Sequence, residues 1–371
     1  MSKKKILVVA KTLNEGGISK FIERTYSSIN VDKLFDITVL TLTTNNDIKI
    51  IKNLENSGIK VISVEAINKA PYKYFSGILK VFRHNKFDIV HWHTDNWVNV
   101  FPILLAMKEK NTKVIVQSHN SSNTDVVNSK IKMFIQNHFI EKNTNWDIVR
   151  IAVSEEAAKW MFGSTEKVQI LANPINVEKF KYSEKDRKFI RKKYGIENEI
   201  VFGNVGRFKE QKNQMFLLDI FNEIRKLNSN VKLILIGSGP LEEKIDNKIK
   251  RLNLQNKVIK VKWTESVDKF YSAFDEVIFP SLYEGFPLSL IEAQSTGCPV
   301  IFSNSITKKV KIINSIISCS LGKGSKFWAK RALENLKNST SNRIDAYKIL
   351  LNQSFDYSSY NKKMIDLYCK V

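Results

Sequence analysis

The chain has 371 residues, 43% of them hydrophobic, which exceeds one typical domain and predicts two with sizeable cores. Its three cysteines, Cys298, Cys319 and Cys369, form no Cys-x-x-Cys pair, which argues against a disulfide framework or zinc knuckle and fits a reducing compartment. A net charge of +22 calls for an anionic partner such as acidic lipid headgroups or phosphorylated substrates, unless it only reflects a bias towards Lys, Asn and Ile; the basic residues are scattered rather than gathered in one arm, which argues against nucleic acid.

The apolar run 6–10 after Lys3, Lys4 and Lys5 is too short for a signal-peptide core, and no run approaches the length of a bilayer span, so a cytoplasmic protein is expected. Residues 5–10 read as a buried first strand. Gly16 and Gly17 then open a helix running to about Ile29. A glycine pair there lets a backbone approach a phosphate or sugar closely, or serves a simple tight turn. It is not Gly-x-Gly-x-x-Gly, so a nicotinamide-binding fingerprint is unsupported. Strand 36–43, helix 48–57 and strand 60–64 continue an alternation that indicates a parallel sheet with crossover helices. Residues 69–84 mix cations with aromatics, as a surface meeting anionic lipid would, or as an amphipathic helix with solvated lysines does.

Strand 87–93 puts His91 and His93 on one side. Such a pair can bind metal if Asp95 or His119 joins it. A histidine at a strand's C-terminal end more often lines a ligand crevice in this architecture, so no metal is expected. The next strand ends at His119-Asn120, where His119 suits hydrogen bonding to a substrate hydroxyl, acid–base work, or a satisfied structural role. Helix 129–142 carries Ile131, Phe134, Ile135, Phe139 and Ile140 beside Lys130, Lys132 and Lys142; it either buries against the sheet or lies on a membrane. Strand 147–153, a helix capped by Ser154 and strand 167–171 lead to Asn173-Pro174, the expected hinge.

A second series follows. Strand 200–205 runs into Gly206-Arg207, and Lys212 is expected to open a helix. Two cations at a strand end and a helix start suit a diphosphate; plain surface charge is the alternative. Strand 232–236 ends in Gly237-Ser238-Gly239-Pro240, and residues 258–263 lead to helix 267–274. Strand 277–279 is closed by Pro280 and Ser281, Pro287 is expected at the first helical position, and Gly297 with Pro299 stops that helix. Eight residues of helix span about 12 Å, so Glu284 and Glu292 could not share a proton but could hold opposite ends of one nucleotide diphosphate-sugar. From about residue 308 the pattern reads as helical, ending in an amphipathic helix 364–368.

Three segments carry a family likeness: 206–212, with Gly206, Arg207 and Lys212; 237–240; and 280–293, with Glu284-x7-Glu292. Together they resemble the retaining glycosyltransferases of family 4, of the GT-B fold. Glu-x7-Glu is the specific element; Gly16-Gly17, His119-Asn120 and the linker-like 173–176 add weaker support, and the likeness is thin over 308–354. It implies an α/β chain of two Rossmann-like parallel-sheet domains facing a central cleft. Residues 1–172 form the acceptor-side domain, with helix 355–371 packing back onto it, and 173–354 bind the nucleotide-sugar. By the same resemblance Arg207 and Lys212 hold the donor diphosphate, Glu292 the ribose hydroxyls, and Glu284 with the backbone of Gly285, Phe286, Pro287 and Leu288 the transferred sugar. Gly16 and Gly17 lie towards the donor phosphate, His119 by the reacting sugar in a supporting catalytic role, and His93 and Asn120 on the acceptor side.

The activity so implied is transfer of a hexose or N-acetylhexosamine from a UDP-sugar to a glycan or lipid-linked acceptor, with retention, in surface polysaccharide, capsule or glycolipid synthesis. No cofactor and no metal are implied, because Arg, Lys and helix dipoles neutralise the leaving diphosphate. Peripheral contact with an anionic membrane is expected, and contact with nucleic acid is not. Two departures bear on the nucleotide base: Asn213 replaces a frequent glycine, and Trp263 stands where the family often has glycine. A nucleotide-sugar epimerase acting without acceptor, a non-catalytic anion-binding protein and a metal hydrolase built on His91 and His93 are the competing readings.

Overall fold

The computed structural model describes residues 3–14, 17–30, 34–339, 343–353 and 355–371. In chain order they form β1 (Lys4–Ala10), α1 (Gly17–Ile29), β2 (Phe35–Thr41), α2 (Ile48–Asn56), β3 (Lys60–Ser63), α3 (Pro71–His84), β4 (Ile89–Thr94), α4 (Phe101–Ala106), β5 (Lys113–Ser118), α5 (Thr124–Val127), α6 (Lys130–Lys142), β6 (Val149–Ala152), α7 (Glu155–Phe162) and β7 (Val168–Ile170). There follow α8 (Glu184–Tyr194), β8 (Ile200–Val205), α9 (Gln214–Leu227), β9 (Val231–Ile236), α10 (Glu242–Arg251), β10 (Val258–Val261), α11 (Val267–Ala273), β11 (Glu276–Phe279), α12 (Leu288–Ser295), β12 (Val300–Ser303), β13 (Ile316–Cys319), α13 (Gly324–Asn338), α14 (Ala346–Asn352) and α15 (Tyr357–Lys370). Two units result: Met1–Pro174 with Tyr357–Val371, and Ile175–Asp356.

The first unit is a seven-stranded sheet in the order β3-β2-β1-β4-β5-β6-β7, every neighbouring pair parallel. Ile6, Leu7, Val8 and Val9 are all fully buried, as a parallel strand covered on both faces requires. Right-handed crossovers put α1 and α2 on one face of the sheet and α3, α4, α6 and α7 on the other. On the α1 face Phe21, Ile22, Tyr26 and Leu54 close over Ile6 and Val8, joined by Tyr360, Met364 and Tyr368 of α15. On the other face Trp97 anchors the packing, its ring 5.6 Å from that of Trp146 and its Nε1–H donated to Met161 O at 2.6 Å.

The second unit is a six-stranded parallel sheet in the order β10-β9-β8-β11-β12-β13. Asp275 ties it together just before β11: it pairs with Arg187 (2.6 Å) and Arg191 of α8 and accepts from Val201 N (2.8 Å) at the start of β8. β8 and β11 pair only through Glu276↔Phe202 and Val277↔Gly203. Beyond that, buried Asn204 replaces the ladder with its side chain, donating Nδ2–H to Ile278 O at 2.8 Å.

Several elements differ from the sequence expectations. The region from residue 308 is not helical throughout, because β13 pairs with β12 at the sheet edge. Ile312, Ile313, Ile316 and Ile317 have helical spacing, but β-branched side chains favour the pleated surface. The last helix starts at Tyr357, earlier than the 364 read from its spacing and close to the 355 that the family likeness implies, and α4, α5, α8 and β12 had no counterpart in the expected series.

Candidate active site

In open parallel sheets, ligands bind beyond the carboxyl ends of the strands where strand order reverses. That point lies between β1 and β4 in the first sheet and between β8 and β11 in the second. The expected site residues flank both points.

In the second unit, β8 runs into a loop held by glycines. Gly237 (φ +149°) and Gly239 (φ +158°) lie so close to the neighbouring loop that a Cβ would stand 2.1 Å from Gly206 O and 2.4 Å from Phe208 O. Phe208 N–H donates to Ser238 O (2.9 Å) and Leu241 N–H to Phe208 O (3.1 Å), so the loops after β8 and β9 form one support. From it the exposed Arg207 projects, its carbonyl accepting from Gln214 Nε2 at 3.1 Å. Lys212 does not open the following helix: it ends a single 3₁₀ turn, Glu210–Lys212, and α9 starts at Gln214 after Asn213 in the left-handed region (φ 55°). Asparagine tolerates that conformation better than most side chains. Here it also donates Nδ2–H to Pro280 O at 3.1 Å, which accounts for a residue other than glycine.

The loop after β11 meets this support. Lys212 Nζ lies 2.7 Å from Glu284 Oε1 and sits over the Phe279 ring at 4.8 Å. Gln211, which sequence reasoning passed over, accepts from Leu282 N (2.8 Å) and donates to Tyr283 O (3.0 Å) and Glu284 Oε2 (3.3 Å). Gly285, Phe286 and Pro287 are buried, and the Phe286 ring stacks on Phe355 at 5.9 Å. Pro287 is the N-cap of α12, one position earlier than expected, and Leu288 is the first helical residue. Leu290 N–H donates back to Pro287 O at 3.0 Å, and the first turn carries the positive end of the helix dipole. Glu292, one turn further on, lies 3.2 Å from the buried Tyr271 hydroxyl, whose proton is shared with Ser289 O at 3.0 Å. Burial, then the nearby Glu292 charge, push the Tyr271 hydroxyl well above its ordinary pKa, so Tyr271 keeps its proton. Tyr271 lies on another helix and left no local signal. Trp263 is 45% exposed in the loop after β10.

In the first unit, Gly17 begins α1, and nothing stands within 4 Å of where its Cβ would be, so packing does not demand glycine there. Gly16 lies outside the described residues. His93 ends up beside Ala10, its register partner on β1. Asn173 Nδ2–H donates to His119 Nδ1 (3.3 Å), which leaves the His119 proton on Nε2 for His93 Nδ1 (2.9 Å). His93 Nε2–H then reaches Tyr26 Oη at 2.6 Å. The hydroxyls of Tyr26 and Tyr368 are 2.9 Å apart and lie 3.0 and 2.7 Å from His91 Nδ1. Burial drives the imidazoles of His91 and His119 down to about 3 and that of His93 well below its ordinary value, so all three are neutral near pH 7. His93 is 1% exposed, behind His119 rather than at the surface; Asn120 is half-buried, and its Oδ1 accepts from Ser121 N at 3.0 Å. Among the described residues no group of three His, Cys, Asp or Glu is placed to hold a metal ion, and no helix is long and apolar enough to cross a membrane.

Two Rossmann-like units, each with its polar cluster at the switch point of a parallel sheet, define a protein of the GT-B glycosyltransferase type. The HepE structure from Anabaena, with UDP and glucose, superposes with a TM-score of 0.80 over 99% of this chain and 100% of its own, at 16% identity. The group 1 glycosyl transferase model matches residues 186–316, and the glycosyl transferase 4-like model matches 24–154, one in each unit. The chain is 29% identical to the putative glycosyltransferase EpsF of Bacillus subtilis, over 89% of this chain and 87% of the relative. It is 25% identical to the UDP-Gal:alpha-D-GlcNAc-diphosphoundecaprenol alpha-1,3-galactosyltransferase of Escherichia coli, over 62% of each.

Proposed function

We propose that the chain transfers a hexose or N-acetylhexosamine from a UDP-sugar to a glycan or lipid-linked acceptor, with retention of configuration, in surface polysaccharide or glycolipid synthesis at the inner face of a membrane. The observation that carries this reading is the Lys212–Glu284 pair at the β8/β11 switch point. A cation and a carboxylate side by side suit a ligand that is anionic at one part and hydroxylated at the next. The HepE structures hold UDP, UDP with glucose, and UDP-glucose, which supports a UDP-sugar donor. The Escherichia coli relative, named for a diphosphoundecaprenol acceptor, supports a lipid-linked one.

In this reading Lys212 exchanges its contact with Glu284 for the donor diphosphate, joined by Arg207 and the first turn of α12. Glu284 is then released to accept from hydroxyls of the transferred sugar beside Gly285 to Leu288, and Glu292 with Tyr271 holds the ribose. As the sugar C1–O bond breaks, its electron pair goes to the β-phosphate oxygen, where these positive groups stabilise it without a metal. The acceptor oxygen bonds to C1 on the same face, and its proton passes to that phosphate. His119, neutral and with both ring nitrogens engaged by Asn173 and His93, is not the base.

Incubation with a panel of UDP-sugars, with and without undecaprenyl-linked acceptors, in chelator, tests the reading. It expects one sugar to be transferred only when acceptor is present, undiminished by the chelator. Conversion of a UDP-sugar without acceptor would make the protein an epimerase; no turnover under any condition, with Lys212→Ala and Glu284→Ala silent in the cell, would make it a binding protein.

A further inference from the structure

One surface of the first unit has no part in this chemistry. A helix on a globular domain buries its apolar stripe and shows a polar face to water. α6 does so only in part: Phe139 packs against Trp97 and Trp146, while other apolar side chains stay outside. Its one fully buried residue is Gln136, which accepts from Trp97 N (2.9 Å) and donates to Trp160 O (3.0 Å). Ile131 and Phe134, three residues apart and so on one face, are 75% and 73% exposed. On α3, in the same layer of the unit, Tyr72 is 84% exposed. A single exposed apolar side chain needs no explanation, but along α3 and α6 these sit among exposed cations that outnumber the one acid, Glu141. Lys130 and Lys132 flank Ile131; Lys73, Lys80 and Arg83 line α3; and no Asp or Glu occurs in 66–87 or 126–140.

We propose that this face, α3 with α6, docks on an anionic bilayer. Phe134, Ile131 and Tyr72 enter the headgroup boundary while the flanking lysines meet lipid phosphates, so that electrostatic attraction adds to the burial of the apolar side chains. A second copy of the chain fits less well, because a two-fold contact would press these lysines against their own counterparts. The inference rests on the lipid-linked acceptor reading in that it puts the protein where such an acceptor lies.

Flotation of the full chain with phosphatidylcholine vesicles, with and without phosphatidylglycerol, tests it. Binding is expected only with the anionic lipid, weakening as salt rises. Ile131→Ser with Phe134→Ser, and Lys130→Gln with Lys132→Gln, should each lower partitioning about tenfold, while thermal stabilisation by UDP-sugars stays as in the parent. Equal binding by parent and variants, no binding to either vesicle, or a dimer in light scattering that Ile131→Ser with Phe134→Ser dissociates would overturn the proposal. Loss of UDP-sugar stabilisation in the parent alone would strike the donor reading and leave the vesicle result standing.

Discussion

Lys212 and Glu284 are both largely withdrawn from water, with side chains 18% and 8% exposed, so removing one strands the charge of the other. Lys212→Ala should cost up to about 3 kcal/mol of unfolding free energy and abolish transfer. Lys212→Met combined with Glu284→Gln removes both charges and should recover most of the stability but none of the activity. Denaturant melts check this, and a double variant no more stable than Lys212→Ala would contradict it. The three buried histidines make a second prediction. They stay neutral in the folded chain, whereas the unfolded chain takes up protons below pH 6.5. Their contribution to stability is therefore complete above pH 6.5 and is lost as pH falls from there towards about 3. Urea melts should show stability dropping from pH 6.5 down to about 5, above most carboxylate titration; a flat profile there would mean that these imidazoles are protonated in the fold.

At the scale of elements, the loops after β8 and β9 form a support only glycine can build. Gly237→Ala, with its Cβ 2.1 Å from Gly206 O, should cost more than about 2 kcal/mol and weaken donor binding, because the loop that carries Arg207 must shift. Gly17→Ala, meeting nothing within 4 Å, should leave stability near that of the parent. Thermal melts of the two variants separate packing glycines from open ones. The alternation of strand and helix was legible in the sequence because fully buried parallel strands are apolar runs, as at Ile6 to Val9. β13 was not, since four isoleucines at helical spacing conceal a strand that only its pairing with β12 decides. At the site, Glu284 and Lys212 could be read from their motif. Tyr271, Gln211, Tyr26 and Tyr368 could not, because their roles arise from contacts between segments distant in the chain, such as Tyr26 with Tyr368 at 2.9 Å.

At the scale of the molecule, the chain returns at its end to the unit in which it began. Tyr360, Met364 and Tyr368 fill the core over β1 and α1. Removing residues 357–371 should lower the melting of the first unit while the second, Ile175–Asp356, melts as before; calorimetry showing both transitions shifted equally would contradict this. The central claim concerns the second unit alone: its sheet switch point grips a UDP-sugar, with Lys212 on the diphosphate and Glu284 on the sugar. Calorimetric titration of UDP and of UDP-sugars into the parent, Lys212→Ala and Glu284→Gln proteins tests it most directly. The account predicts that Lys212→Ala weakens UDP and UDP-sugar alike, and that Glu284→Gln weakens the UDP-sugar while leaving UDP nearly unchanged. Binding of both ligands unaltered in both variants would contradict it.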